Sequence, residues 1–271
     1  MTPWKTDYVP GPPRIAVDHM GAGALVVFLH GIGGNRTNWH EQLPEFARHF
    51  HAVSWDGRGY GESEDYEGPL DFPDFSRDLS RVIGYFGAAT AHLVGLSMGG
   101  VVALDFHQHY RDKVASLTIC DSLPGMSGLD ADQRAEFIRL RQEPLLHGKR
   151  PADIAPVVAR TLISESAPPA VFDRLVASMT ALHKESYLKT IAGIADYSVN
   201  FALERIAVPC HFVVGAEDRL TPPAVSRAMA ARISGAELTI IEGAGHLSNI
   251  ERPAAFNRAV IDFLLRHCKP A

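Results

Sequence analysis

Apolar positions along this chain fall into short unbroken runs set between glycine- and proline-rich turns, and several of the runs lead into stretches of helical spacing. Residues 24–29, 91–94, 115–120, 209–215 and 238–242 are such runs. Unbroken apolar segments of this length, bounded by turn residues, predict strands buried on both faces, as in a parallel sheet. Helical patterns follow at 101–110, beyond the prolines at 222 and 223, and from about Pro253. Residues 1–121 and 208–271 thus predict alternating strands and helices, an α/β core wound as a mostly parallel twisted sheet with helices on both faces. Residues 122–207 differ: they predict short helices around 130–142, 151–165, 169–183 and 185–195, punctuated by Pro and Gly, with no strong strand. Lying between a strand that ends at Asp121 and one that begins near Val208, this segment is expected to form a helical cap inserted late in the sheet.

Candidate chemistry sits at the ends of those strands. The run 91–94 leads into Gly95-Leu96-Ser97-Met98-Gly99-Gly100 and then into a helix. A G-x-S-x-G pattern alone is a weak signal in a chain with 23 glycines, but strand, sharp turn and helix together are the context of a nucleophile elbow. Such a turn strains the backbone of Ser97 and exposes its hydroxyl, and it needs Gly95 and Gly99 where a Cβ would strike neighbouring backbone. A serine nucleophile also requires a base, a group that orients the base, and donors for a developing oxyanion. The run 24–29 ends in His30-Gly31-Ile32-Gly33-Gly34. That loop can turn the amide of Ile32 to face the amide of Met98 at the helix N-terminus, giving two backbone donors. Its bland alternative is a plain turn at a strand end.

The acid and base follow downstream. Asp218 lies just after the run 209–215, and His246 closes Gly243-Ala244-Gly245-His246 after the run 238–242. Parallel strands carry these C-terminal ends to one edge of the sheet, where open α/β folds place their ligands, so Ser97, Asp218 and His246 can meet. Asp121, which ends the run 115–120, is an alternative orienter; Asp218 is preferred on its Gly-x-x-Asp context. Asp56, in Asp56-Gly57-Arg58-Gly59-Tyr60-Gly61, is expected to hold loop amides. Among the 13 histidines, His107 and His109 fall on a helix, His211 inside a strand, and His49 and His51 around a strand start, all placements that suit structural or solvated roles. As a base, His246 would be pulled down by burial and up by an ionised Asp218, which sets an expected activity limb near about pH 6 to 7.

On these residues the chain resembles the α/β-hydrolase superfamily, serine-nucleophile branch, over nearly its whole length. The matching motifs are His30-Gly31-Ile32-Gly33, Asp56 to Ser63, Gly95 to Gly100, Gly215-Ala216-Glu217-Asp218 and Gly243 to His246, in the family's order. It looks most like the enol-lactone hydrolases and small carboxylesterases, through Gly95 to Gly100 and Asp218-Arg219-Leu220-Thr221-Pro222-Pro223. Resemblance to the meta-cleavage C–C bond hydrolases is weaker, because those usually carry His-Gly-x-Gly-Pro-Gly and an Asn before the serine, where this chain has Gly34-Asn35 and Leu96. Ser97 sets aside the dehalogenase and epoxide-hydrolase branches, which use an aspartate nucleophile. The resemblance implies the α/β-hydrolase fold, a Ser97, Asp218 and His246 triad, and an oxyanion hole at Ile32 and Met98.

Composition narrows the partners. A chain of 271 residues is long enough for one large core with a lid. Its net charge of −5, with dispersed basic residues, gives no nucleic-acid or membrane-surface footprint. Met1 to Gly11 lacks an apolar signal core, and no stretch approaches transmembrane length. Cys120, Cys210 and Cys268 are odd in number and scattered, which suits core thiols in a reducing cytoplasm. No His/Cys group has zinc spacing and no glycine loop matches a Walker or dinucleotide pattern, so neither metal nor cofactor is expected. The expected partner is a small-molecule substrate, with the oligomeric state open.

Three function classes stay open at this point. One is hydrolysis of a small ester or lactone through an acyl-enzyme. A second keeps the fold for C–C bond hydrolysis or for cofactor-free perhydrolysis or oxygenation. The third is a ligand-binding protein without catalysis; an intact Ser97, Asp218 and His246 set disfavours it, since sensing needs none of the three. Specificity should reside in the cap. There Phe137, Ile138, Leu140, Leu145, Leu146, Met179 and Leu182 suit cap core. Arg134, Arg139 and Arg141 suit a solvated helix face, or one of them could clamp a substrate carboxylate.

Overall fold

The computed structural model describes residues 3–125, 130–197 and 201–268; the ends of the expected core stretches 1–121 and 208–271, and parts of 122–207, lie outside the described residues. Eight strands form one sheet: β1 (Lys5–Val9), β2 (Ile15–Gly21), β3 (Leu25–Leu29), β4 (His51–Trp55), β5 (Ala91–Leu96), β6 (Val114–Cys120), β7 (Cys210–Gly215) and β8 (Glu237–Ile241). Their spatial order is β1-β2-β4-β3-β5-β6-β7-β8. From β4 to β8 every pairing is parallel. β3, β5 and β7 are buried at every position, as strands covered on both faces must be.

The N-terminus departs from strict alternation. β1 and β2 follow one another without a helix and pair antiparallel, and β2 pairs antiparallel with β4. β1 is mostly exposed and lies at the sheet edge, so it never needed the apolar run by which the central strands announce themselves.

The helices follow from the strand order. They are α1 (Leu43–Phe46), α2 (Asp74–Tyr85), α3 (Met98–His109), α4 (Ala131–Arg141), α5 (Glu143–Leu146), α6 (Pro151–Leu162), α7 (Pro169–Thr180), α8 (Lys184–Asp196), α9 (Pro223–Ala230), α10 (Ser248–Glu251) and α11 (Pro253–His267). The step from β3 through α1 to β4 runs toward one edge of the sheet, and the step from β5 through α3 to β6 runs toward the other. Right-handed crossovers therefore put α1 and α3 on opposite faces. The strand order reverses between β3 and β5, and at such a switch point the loops leaving the two C-terminal ends part and leave a crevice. Leu29 pairs with Gly95 across those strands, so the loop after β3 and the turn after β5 start side by side.

α3 is buried from Met98 through His107, apolar nearly all round because it packs against β3, β5 and β6. Between β6 and β7 the described residues form helices α4 to α8 and no strand. Asp130 starts α4 with a capping box, accepting from the Gln133 amide at 2.8 Å while Gln133 Oε1 accepts from the Asp130 amide at 3.1 Å. Among the described residues no helix is long and apolar enough to cross a membrane.

Candidate active site

Four loops converge at the switch point. Ser97, between β5 and α3, has φ 53° and ψ −117°, a left-handed-side conformation that costs of order 1–3 kcal/mol for a residue with a Cβ. The turn survives because its surroundings fix it. The Ser97 amide donates to the Cys120 carbonyl at 2.9 Å, and the Ser122 hydroxyl donates to the Ser97 carbonyl at 2.7 Å. A Cβ at Gly95 would stand 2.2 Å from the Gly99 carbonyl oxygen, and one at Gly99 would stand 2.1 Å from that of Leu29. Both are backbone clashes that no rotamer relieves, so strand, turn and helix close up only around glycine here.

The Ser97 hydroxyl lies 3.0 Å from His246 Nε2, and His246 Nδ1 lies 2.9 Å from Asp218 Oδ2. Asp218 and His246 are each 3% exposed. The amides of Leu220 and Thr221 both donate to Asp218 Oδ1 at 2.9 Å, and the Thr221 hydroxyl donates to Oδ2 at 2.5 Å. Burial works to raise the Asp218 carboxyl, but the His246 charge and these donors outweigh it and hold it below the usual carboxylate range. An ionised Asp218 fixes the Nδ1–H tautomer of His246 and leaves Nε2 to accept the Ser97 proton. The series can pass a proton from hydroxyl to imidazole.

Burial likewise acts against an imidazolium at His246, yet the charge of Asp218, its hydrogen bond and the charge of Asp121 prevail, and the ring titrates above the ordinary imidazole value. The two opposing effects cancel only in part, and the carboxylate wins. Only neutral imidazole accepts a proton, so kcat/KM is expected to rise with pH through this raised value, on an ascending limb above about 6.5 followed by an alkaline plateau. Asp218→Asn should move the limb to lower pH. The check is a kcat/KM profile on an ester whose chemical step limits turnover; a flat profile from about pH 5 to 9 would remove His246 as the base.

Asp121, the other strand-end acid, is brought to the same edge but makes no hydrogen bond to the imidazole. Its Oδ1 accepts from the Gly215 amide at 2.8 Å, and its Oδ2 accepts from the Ser248 hydroxyl at 2.5 Å and the Ser248 amide at 3.3 Å. Burial, then the nearby charge of Asp218, push it up to about 8. Two acids with environments that drive them apart can have different tasks: Asp218 faces the ring, and Asp121 ties the end of β6 to β7 and to α10.

On the opposite side, Ile32 and Met98 line the same slot as Ser97. Neither amide donates to another backbone group among the described residues. The loop carrying Ile32 is braced from behind. His30 Nδ1 donates to the Gly31 carbonyl at 2.8 Å, and His30 Nε2 accepts from the Gly57 amide at 3.0 Å, a pairing that needs the neutral ring that burial favours. Asp56 accepts from the amides of Arg36 at 2.7 Å and Glu62 at 2.8 Å and pairs with the Arg36 guanidinium, so it does hold loop amides.

Some supporting residues escape a motif search. Thr221 fills the last acceptor site of Asp218, and Ser248 holds Asp121. Glu251, 3% exposed, accepts from the Gly245 amide and from the Ser164 amide, each at 3.0 Å, and the His246 amide donates to the Leu162 carbonyl at 2.7 Å. The loop that presents His246 is thereby fastened to the end of α6. A hydroxyl three residues after Asp218 was a visible signal of an Asx-type turn, whereas nothing local marks Glu251.

A strained serine at the switch point of a mostly parallel sheet defines the α/β-hydrolase class. The chain belongs to the alpha/beta hydrolase family, whose model matches residues 26–259, and it is a hydrolase. It is similar to 3-oxoadipate enol-lactonase 2 of Acinetobacter baylyi, 26% identical over 241 residues that make up 87% of this chain and 86% of that protein. It is also similar to the 2-hydroxy-6-oxononadienedioate/2-hydroxy-6-oxononatrienedioate hydrolase of Cupriavidus pinatubonensis, 29% identical over 266 residues covering 93% of this chain and 90% of that protein. Among solved structures, a thermophilic esterase from Thermogutta terrifontis with malate bound superposes with a TM-score of 0.88 at 26% identity, over 97% of this chain and all of that one.

Proposed function

We propose that this protein hydrolyses a small carboxylic ester or lactone, an enol-lactone among the candidates, through an acyl-enzyme on Ser97. One observation carries the reading: the unbroken hydrogen-bonded series from Ser97 through His246 to Asp218, at 3.0 and 2.9 Å. Ser97 Oγ attacks the substrate carbonyl while His246 Nε2 takes its proton, and the amides of Ile32 and Met98 receive the oxyanion. As the tetrahedral adduct collapses, His246 returns the proton to the departing alkoxide, leaving the acyl group on Ser97. Water then repeats the sequence: His246 removes its proton, hydroxide adds to the acyl carbonyl, and Ser97 leaves with the proton. No step needs a metal or cofactor. Helices α4 to α8 act as a cap in this reading, supported by Phe137 and Ile194, which line the slot beside Ser97. The sheet and its loops, 1–121 and 208–271, are then the catalytic core.

The test is labelling by a fluorophosphonate, with the adduct mapped by mass spectrometry. It is expected on the peptide containing Ser97 and absent from the Ser97→Ala protein; an adduct elsewhere, or none, overturns the reading. A second reading, C–C bond hydrolysis of a ring-cleavage product, draws support from the 29% identity to the nonadienedioate hydrolase. Turnover of such a dienoate in preference to esters and lactones would favour it.

A further inference from the structure

Helix α4 carries three arginines, and the structure separates them. Arg134 and Arg139 are exposed, and Arg139 pairs with Glu136 at 2.7 Å. Arg141 stands one turn beyond Phe137, shares its inward face, and is 3% exposed. Its guanidinium carbon lies 4.2 Å from the centre of the Phe137 ring, and Nη1 reaches the Phe137 carbonyl at 3.5 Å. Among the described residues no carboxylate pairs with it. A guanidinium has five N–H donors, so a buried charge is left here almost unanswered, which is costly without an opposite charge. Covering Phe137 does not account for it, since an apolar side chain would do that at no such cost. The favourable helix C-terminus does not either, because an exposed arginine would profit from it equally.

Arg141 lines a cleft of about 670 Å³ together with Phe137 and Leu220, and those two residues also line the slot at Ser97. The slot itself is narrow, about 30 Å³ against the cleft's 670 Å³, so the cleft has the room for the larger part of a substrate. Two more arginines, Arg160 and Arg219, stand exposed at the cleft's rim, and its acids, Asp132 and Glu136, are exposed as well. The charge of Arg141 is felt at His246, which places the guanidinium within electrostatic reach of the reacting groups. The charge of Arg141 is also felt at the Tyr187 hydroxyl, which is buried and has no hydrogen-bond partner among the described residues.

We propose that Arg141 binds a carboxylate of the substrate, which makes the substrate an ester or lactone bearing a free carboxylate away from the bond that is cleaved. The proposal rests on the serine-hydrolase reading given above. A planar guanidinium meets a carboxylate through two parallel N–H···O bonds, and at a guanidinium as buried as that of Arg141 the pairing selects against a neutral isostere. Arg141 is then the residue that sets specificity, with the carbonyl in the slot and the carboxylate deep in the cleft.

The experiment compares mono-p-nitrophenyl glutarate with p-nitrophenyl pentanoate, as the ratio of their kcat/KM values. The ratio is expected to favour the glutarate ester in the wild type and to fall about 100-fold in Arg141→Met, chiefly through KM, and about tenfold in Arg141→Lys. Arg219→Gln at the rim should change it less than about threefold. A wild-type ratio at or below one, or a ratio that Arg141→Met and Arg141→Lys leave unaltered, overturns the proposal while the hydrolase reading stands. If Arg141→Met fails to fold, the Lys variant decides. If neither ester is turned over and no probe labels Ser97, the hydrolase reading fails on its own. The carboxylate site is then decided by whether glutarate raises the melting temperature of the wild type and not of Arg141→Lys.

Discussion

Ser97→Ala is expected to lower kcat by about 10⁴- to 10⁶-fold, leaving the small residual rate that bound substrate and backbone donors sustain. The size follows from the geometry. Without Oγ, His246 has no nucleophile to deprotonate, and Asp218, Thr221 and the loop amides orient a base with no task. Binding should survive, because the cleft and the amides of Ile32 and Met98 are untouched. Stability should hold as well, since alanine keeps the Ser97 backbone bonds, although its Cβ leaves the positive-φ strain in place. Single-turnover kinetics on the purified variant, with a binding measurement for an unreactive substrate analogue, separate the two effects. Near-normal turnover would remove Ser97 as the nucleophile.

The second large effect is expected at the acid. Asp218→Asn should reduce kcat by about four orders of magnitude with the fold intact, since an amide in this position can present its N–H to His246 and invert the tautomer. Nε2 would then carry the proton and no longer accept from Ser97. Asp121→Asn should cost about tenfold or less, because Asp121 makes no hydrogen bond to the ring and burial keeps it largely uncharged at neutral pH. Its larger consequence should be on stability. The new amide nitrogen, if it takes the place of Oδ2, meets the Ser248 amide donor to donor, a loss of roughly 1–3 kcal/mol. Steady-state kinetics and urea midpoints on both variants check the pair; a reversed order of the kinetic effects would move the orienting role to Asp121.

Much of this molecule was legible locally. A buried parallel strand must be apolar throughout, so β3, β5 and β7 stood out, and the residues just beyond their ends were the candidates for chemistry. Gly95 and Gly99 were legible for a steric reason that the backbone contacts now make explicit. Other features were not, because they depend on contacts distant in the chain. Asp121 and Asp218 end neighbouring strands in similar contexts, and which one reaches the imidazole depends on how the two loops fold over the sheet edge. β1 is exposed and short, with neither an apolar run nor a helix before β2. The three arginines of α4 suited a solvated helix face in the sequence; that Arg141 turns inward, and without an acidic partner, needed the neighbouring helices in place.

The fastening of the His246 loop to the end of α6 bears on how such a protein can be recombined. An exchange of the helical segment with that of a relative, cut only at its two junctions with the sheet, would also replace Leu162 and Ser164. The Leu162 carbonyl receives the His246 amide, and the Ser164 amide shares Glu251 with Gly245. A chimaera that alters the backbone there would exchange the helices beside the slot and, with them, the angle at which His246 is held. Grafts whose crossover falls beyond residue 164, leaving that stretch with its own Glu251 and α4 with its own Arg141, should keep their turnover and their preference for a carboxylate.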